Sequence, residues 1–117
     1  MVRCLIVDDS RLFLDAARGL LEHQGVEVVG VASTGGEALR GVEALRPDVT
    51  LVDIDLGGES GFEVARQLQA TPGPVILIST HSELDYAELI EASPAIGFVP
   101  KSALSAGAIR EVLGEPG

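Results

Sequence analysis

Four acids, two hydroxyls and one lysine stand out for where they fall: Asp8 and Asp9 follow an apolar run, Asp53 and Asp55 close a second, Ser79 and Thr80 end a third, and Lys101 follows a fourth. If those runs lie side by side, the carboxylates of Asp8, Asp9 and Asp53 converge with a hydroxyl and an ammonium. Carboxylates that close raise one another's pKa unless something positive compensates them. A hard divalent cation, held by one or two carboxylates, a backbone carbonyl and several waters with room for phosphate oxygens, is the Mg²⁺ pattern, which Mn²⁺ shares. Lys101 is the only lysine, the other seven cations being arginines, and it supplies a point charge for a carboxylate or phosphate oxygen. The set suits phosphoryl transfer, in which a protein mainly positions groups and neutralises charge. An aspartate can be the nucleophile that carries the phosphate, and Asp53 is the best placed.

Each of these residues has a plainer reading alone. Asp8-Asp9 would be a solvated turn, Ser79 the polar end of a strand and Lys101 a surface lysine. Their common position after apolar runs favours the chemical reading. His23 reads as a surface or capping residue near a helix end, and no cysteine or histidine cluster supports a second metal site around His81.

The elements that must position this set are five short β-branched runs, Val2–Val7, Val26–Ala32, Val49–Ile54, Val75–Ser79 and Ile96–Val99, which read as strands. Helical spacing fills the gaps, with Leu12, Ala16 and Leu20 in the first and Ala38, Leu39, Val42 and Leu45 in the second. Thr34 to Glu37 and Ser60 to Glu63 have the capping-box form, and Ser10, Ser82 and Ser102 are further N-cap candidates. Pro47 ends the second helix, and Thr71-Pro-Gly-Pro74 separates the third from the fourth strand. The expectation is an α/β fold, a flavodoxin-like (βα)5 doubly wound parallel sheet of order 2-1-3-4-5. Ligands of such sheets bind beyond the carboxyl ends of the strands where strand order reverses, between the first and third.

A length of 117 residues allows one domain, and 46% hydrophobic with 22% charged residues is a globular composition. With no Trp, one Tyr and three Phe, the core must be aliphatic. The net charge of −10, with basic residues scattered singly, argues against direct nucleic-acid binding by this chain. No apolar run has membrane-spanning length and no signal-peptide pattern opens the chain, so a cytoplasmic protein without membrane contact is expected. The single cysteine, Cys4, lies in an apolar run and reads as a small buried hydrophobe, which fits a reducing compartment.

The strings Val7-Asp-Asp-Ser10, Leu51-Val-Asp-Ile-Asp-Leu56 with Ser60-Gly61, Pro74-Val-Ile-Leu-Ile-Ser79 and Gly97-Phe-Val-Pro-Lys101 resemble, in order and spacing, the receiver domains of two-component response regulators. The resemblance covers essentially the whole chain. It implies Asp53 as phosphoacceptor, Asp9 as a direct metal ligand, Asp8 as a ligand usually through water, and the Asp55 backbone carbonyl in the metal shell. It further implies Ser79 as the switch hydroxyl, Phe98 as the aromatic that reorients with it, and Lys101 as the phosphate-binding lysine. Asp55 and His81 fall on rim positions that tune phosphate lifetime in the family, and Thr80 falls on the rim beside the acceptor. Partners so implied are a histidine kinase or a small phosphodonor, and phosphorylation-linked homodimerisation is common in the family.

Departures from the family pattern are few. Gly57 stands where proline is frequent, which should loosen the loop after Asp53. Ser79 replaces the commoner threonine, and Thr80 replaces a frequent alanine, narrowing access to the acceptor.

Two other functions compete. Asp53-Ile-Asp55 resembles the nucleophile motif of haloacid-dehalogenase-type phosphatases, but that motif normally follows the first strand of a longer chain with a cap, and Asp8-Asp9 would be left without a role. An FMN-binding module would need phosphate-binding loops and stacking aromatics that the sequence lacks. The run Gly97 to Ser102 and the small-residue fifth helix resemble receivers that precede a helix-turn-helix DNA-binding domain. The expected division is therefore a receiver domain over residues 1–113 and a tail or linker start over 114–117, either in a stand-alone receiver or, preferred here, in the N-terminal piece of a larger regulator.

Overall fold

A computed structural model describes residues 1–114. The order is β1 (Arg3–Val7), α1 (Arg11–His23), β2 (Glu27–Ala32), α2 (Gly35–Leu45), β3 (Val49–Asp53), α3 (Gly61–Leu68), β4 (Val75–Ser79), a 3-10 turn (Glu83–Tyr86), α4 (Ala87–Ala92), β5 (Gly97–Pro100), a second 3-10 turn (Lys101–Ala103) and α5 (Ala106–Leu113). All strand pairs are parallel, in the order β2-β1-β3-β4-β5, which is the expected doubly wound flavodoxin-like topology. Strand ends shift by a residue from expectation: Val2, Val26 and Ile96 precede their strands, Ile54 follows β3, and β5 extends to Pro100.

β1, β3 and β4 are buried almost throughout because helices cover both faces, as continuous apolar runs require. β2 and β5, at the edges, carry exposed or half-buried positions. One core packs Cys4, Ile6, Leu51 and Ile78 against α1 and α5, and the other packs Leu5, Val52 and Leu77 against α2 and α3. Burial pushes the Cys4 thiol up to about 12, which leaves it a protonated, unreactive core group.

The residues whose spacing signalled α1 are not the ones that bury it. Leu12 is 82% and Leu20 42% exposed, whereas Leu14, Ala17 and Leu21 face the sheet. Both sets recur at helical spacing, and the second shares one buried cluster with Cys4, Ile6 and Val28. On α2, Ala38 and Val42 are buried as expected, with Leu39 and Leu45 packed at the margin.

The caps also differ in detail. Thr34 Oγ1 accepts the Glu37 N–H at 3.1 Å, but the Glu37 carboxylate reaches one residue further back, accepting from the Ser33 N–H and hydroxyl, which lowers its pKa. Ser60 caps α3 through the Phe62 N–H, and Glu63 pairs with Arg66 instead of closing a box. Ser10 caps α1 through the Phe13 N–H. Ser82 makes no side-chain cap bond, and Ser102 lies inside the second 3-10 turn, so that Ser105 caps α5. α2 ends at Leu45 before Pro47, with Arg46 in the left-handed region at φ 46°. Gly114, at φ 77°, terminates α5, and the rest of the expected 114–117 tail lies outside the described residues.

Candidate functional site

The topology brings the carboxyl ends of β1, β3, β4 and β5 together, and a cleft of about 230 Å³ there is lined by Asp8, Asp9, Ser10, Asp53, Asp55, Gly57, Ser79, Thr80, His81 and Lys101. Nine of these ten line residues carry side chains, and every expected site residue except Phe98 is among them. Asp8, Asp53 and Ser79 are buried, at 0, 6 and 3% exposure, while Asp9 is open to solvent. One oxygen from each of Asp8, Asp9 and Asp53 lies within 4.8 Å of the others.

Backbone donors orient these acids. The Ser10 N–H donates to Asp8 Oδ1 at 2.9 Å, and the Asp55 N–H donates to Asp53 Oδ1 at 3.4 Å. Lys101 Nζ stands 2.6 Å from Asp8 Oδ2 and 3.4 Å from Asp53 Oδ2. Its approach to Asp8 Oδ2 falls outside hydrogen-bond geometry, so that fully buried oxygen has charge beside it but no hydrogen bond. The ammonium also lies 4.2 Å from the centroid of the Phe13 ring.

One ammonium does not neutralise three carboxylates. Burial, and then the neighbouring Asp8 charge, push the Asp53 carboxyl up to about 6 against the opposing pull of Lys101. The donor set fits a hard divalent cation: three carboxylates, one buried oxygen short of a hydrogen bond, and an excess of negative charge.

The loop after Asp53 is tightly closed rather than loose. Asp55 and Ser60 form an antiparallel bridge, flanked by bonds from Leu56 N to Glu59 O at 3.0 Å and from Gly61 N to Ile54 O at 2.7 Å. In that pairing Asp55 directs its own N–H and C=O away from Ser60, toward the side on which its N–H meets Asp53. Gly57 has φ 76°, a conformation closed to proline, and its N–H donates to Asp55 Oδ1 at 3.1 Å. Gly61 is dictated by contact: a Cβ there would lie 2.0 Å from the Asp53 carbonyl oxygen.

Ser79 Oγ accepts the His81 N–H at 3.0 Å, so the hydroxyl proton remains available to point into the cleft. Thr80 and His81 stand on the rim, and the imidazole meets the Tyr86 ring edge-on at 5.8 Å. Phe98 does not line the cleft. It is half-buried on β5, packed against the α2–α3 core, and borders a separate groove with Val99, Pro100, Ala103, Ala108 and Val112.

Three contributors were not read from the sequence. Phe13 lies beneath Lys101, Glu59 accepts the Gly35 N–H at the start of α2 at 2.8 Å, and Tyr86 packs on both His81 and Phe62. The one available signal was the aromatic of Phe13 four residues after Asp9 on the helix that Ser10 begins.

Residues 4–113 match the family model of the response regulator receiver domain. The chain belongs to that family. This receiver domain is 31% identical over 102 residues to the DNA-binding transcriptional activator EvgA of Escherichia coli, covering 86% of this chain and 50% of that protein. It is 32% identical to the transcriptional regulatory protein DesR of Bacillus subtilis, over 97% of this chain and 59% of that protein. A protein-glutamate methylesterase/protein-glutamine glutaminase of Alkalilimnicola ehrlichii is 36% identical over 86% of this chain and 27% of its own length. The receiver thus spans about half or less of most curated relatives named here. Among solved structures, the signal receiver domain of the response regulator NarL from Mycobacterium tuberculosis superimposes with a TM-score of 0.83 at 34% identity, covering 97% of this chain and 94% of that one. No helix among the described residues of the receiver is long and apolar enough to cross a membrane.

Proposed function

We propose that this receiver accepts a phosphoryl group on Asp53 in a reaction that depends on a divalent cation, Mg²⁺ or Mn²⁺. The supporting observation is the convergence of Asp8, Asp9, Asp53, Ser79 and the sole lysine in one cleft at the carboxyl edge of the sheet. Asp8, Asp9 and Asp53, with the Asp55 carbonyl, are the residues that would hold the cation. When bound, it offsets the charge of the carboxylates and of the incoming phosphate.

The chain's own part is nucleophilic attack and positioning. A carboxylate oxygen of Asp53 forms the new bond to phosphorus as the bond to the donor breaks, and the bonding pair leaves with the donor, a histidine kinase imidazole or the carboxylate of a small acyl phosphate. Lys101 turns its ammonium to a phosphoryl oxygen, and the Ser79 hydroxyl donates to another. Movement of Ser79 releases Phe98 to reorient, and the face formed by α4, β5 and α5 changes its affinity for partners, a second copy of the chain among them. The exposure of α4 supports that role: none of its residues is buried, nor is any in the 3-10 turn before it.

Intact mass after incubation with acetyl phosphate and Mg²⁺ tests the reading. A single phosphate adduct that requires the cation and is lost in Asp53→Asn is expected; turnover of unrelated phosphomonoesters without an adduct would instead support a phosphatase. Similarity to EvgA and DesR supports a transcriptional output domain following residues 1–113, with 114–117 opening the linker, in a cytoplasmic regulator. A full-length gene sequence that continues into a methylesterase domain, or stops here, would overturn that assignment.

A further inference from the structure

We infer that Phe13 is a positioning residue for Lys101, holding the ammonium at the phosphoacceptor through its ring face. The inference rests on the phosphoacceptor reading of the cleft. The geometry is specific: Nζ lies 4.2 Å from the ring centroid, within the range in which an ammonium is drawn to the negative face of an aromatic ring. The lysine side chain is 13% exposed, so little water competes with that attraction.

The other two contacts of the ammonium are with Asp8 and Asp53, and both change during the proposed reaction. Asp53 exchanges a carboxylate oxygen for an acyl phosphate, and Asp8 shares its charge with the cation. The ring alone keeps its charge distribution throughout. A lysine stem has four rotatable bonds and loses substantial freedom when fixed, so an unchanging contact keeps the ammonium in place while its ionic partners are altered.

The ring is itself tied to the site. Phe13 N–H donates to Ser10 Oγ at 3.2 Å, and Ser10 N–H donates to Asp8 Oδ1 at 2.9 Å. Acid, helix cap, ring and ammonium therefore form one connected unit at the first turn of α1. Part of the ring also packs on the core with α1 and α5, which fixes its plane.

Because Lys101 is the only lysine, a chain labelled with ¹³C at lysine Cε gives one lysine methylene signal. The expected result in the metal-free native chain is a signal displaced upfield by the ring, at its free-lysine position in Phe13→Leu and displaced again in Phe13→Tyr. The rate of adduct formation from acetyl phosphate with Mg²⁺ should fall roughly three- to tenfold in Phe13→Leu and recover in Phe13→Tyr. A free-lysine signal in the native chain overturns the proposal whether or not any variant folds. Adduct formation at the native rate in Phe13→Leu overturns the positioning role while leaving the phosphoacceptor reading intact. Absence of any adduct on the native chain overturns that reading itself, and the role of Phe13 with it.

Discussion

Asp53 is held partly unwilling to ionise, and that reluctance has a measurable sign. Its carboxyl titrates near 6 rather than 3.8, first because it is buried and then because Asp8 lies beside it. The native state therefore favours the protonated form, and the resulting stability is fully present below about 3.8 and lost as pH rises through about 6. The metal-free protein should lose at most about 2–3 kcal/mol between pH 4 and pH 7 from this group, read from urea midpoints across that range. Asp53→Asn should flatten this part of the profile and raise the pH 7 midpoint, and Mg²⁺ should do the same for the native chain. A native profile parallel to that of the variant would contradict the account. Thr80 acts on access instead. Its side chain stands on the rim of the cleft, so Thr80→Ala should speed loss of phosphate from Asp53 severalfold, followed by mass against time after removal of the donor.

At the scale of elements, the β3–α3 junction leaves least freedom. A methyl group at Gly61 would collide with the Asp53 carbonyl oxygen at 2.0 Å and Ile54 Cα at 2.7 Å, both of them backbone atoms that cannot rotate aside. Gly61→Ala should therefore destabilise by more than about 3 kcal/mol or displace Asp53 outright, seen as a lower urea midpoint together with loss of the phosphate adduct. A native midpoint with native adduct formation would show that α3 can shift freely. The order and number of elements were legible in the sequence because apolar runs for β1, β3 and β4 and the serine and threonine caps are local signals. The buried face of α1 was not, since Leu12-Ala16-Leu20 and Leu14-Ala17-Leu21 are both helically spaced and only the placement of the sheet chooses between them. The α5 cap was misplaced for a similar reason: Ser102 and Ser105 offer the same chemistry, and a 3-10 turn occupies the first.

Across the whole molecule, burial is uneven. The three inner strands are sealed, whereas α4 and the turn before it bury no residue. Amide exchange should be fastest, among the regular elements, over residues 83–92 and slowest in β1, β3 and β4, and treatment with acetyl phosphate and Mg²⁺ should alter the first set while sparing the second. Uniform protection, or a change confined to β3, would count against an α4-centred switch. The acidic cleft was readable because four strand ends carry its residues, whereas the supports of the cleft were not. Phe13, Glu59 and Tyr86 belong to helices, loops and turns whose approach to the site depends on tertiary packing, and no spacing rule joins Phe13 to Lys101.

Cys4, sealed in β1 with its thiol pushed up to about 12, is the chain's only sulfhydryl. To a maleimide or a nitroxide reagent in water the folded protein is therefore blank. A cysteine introduced on the outer surface of α4 would be the sole labelling point, and a dye or spin label there could follow motion of that helix with every native residue of the cleft left untouched.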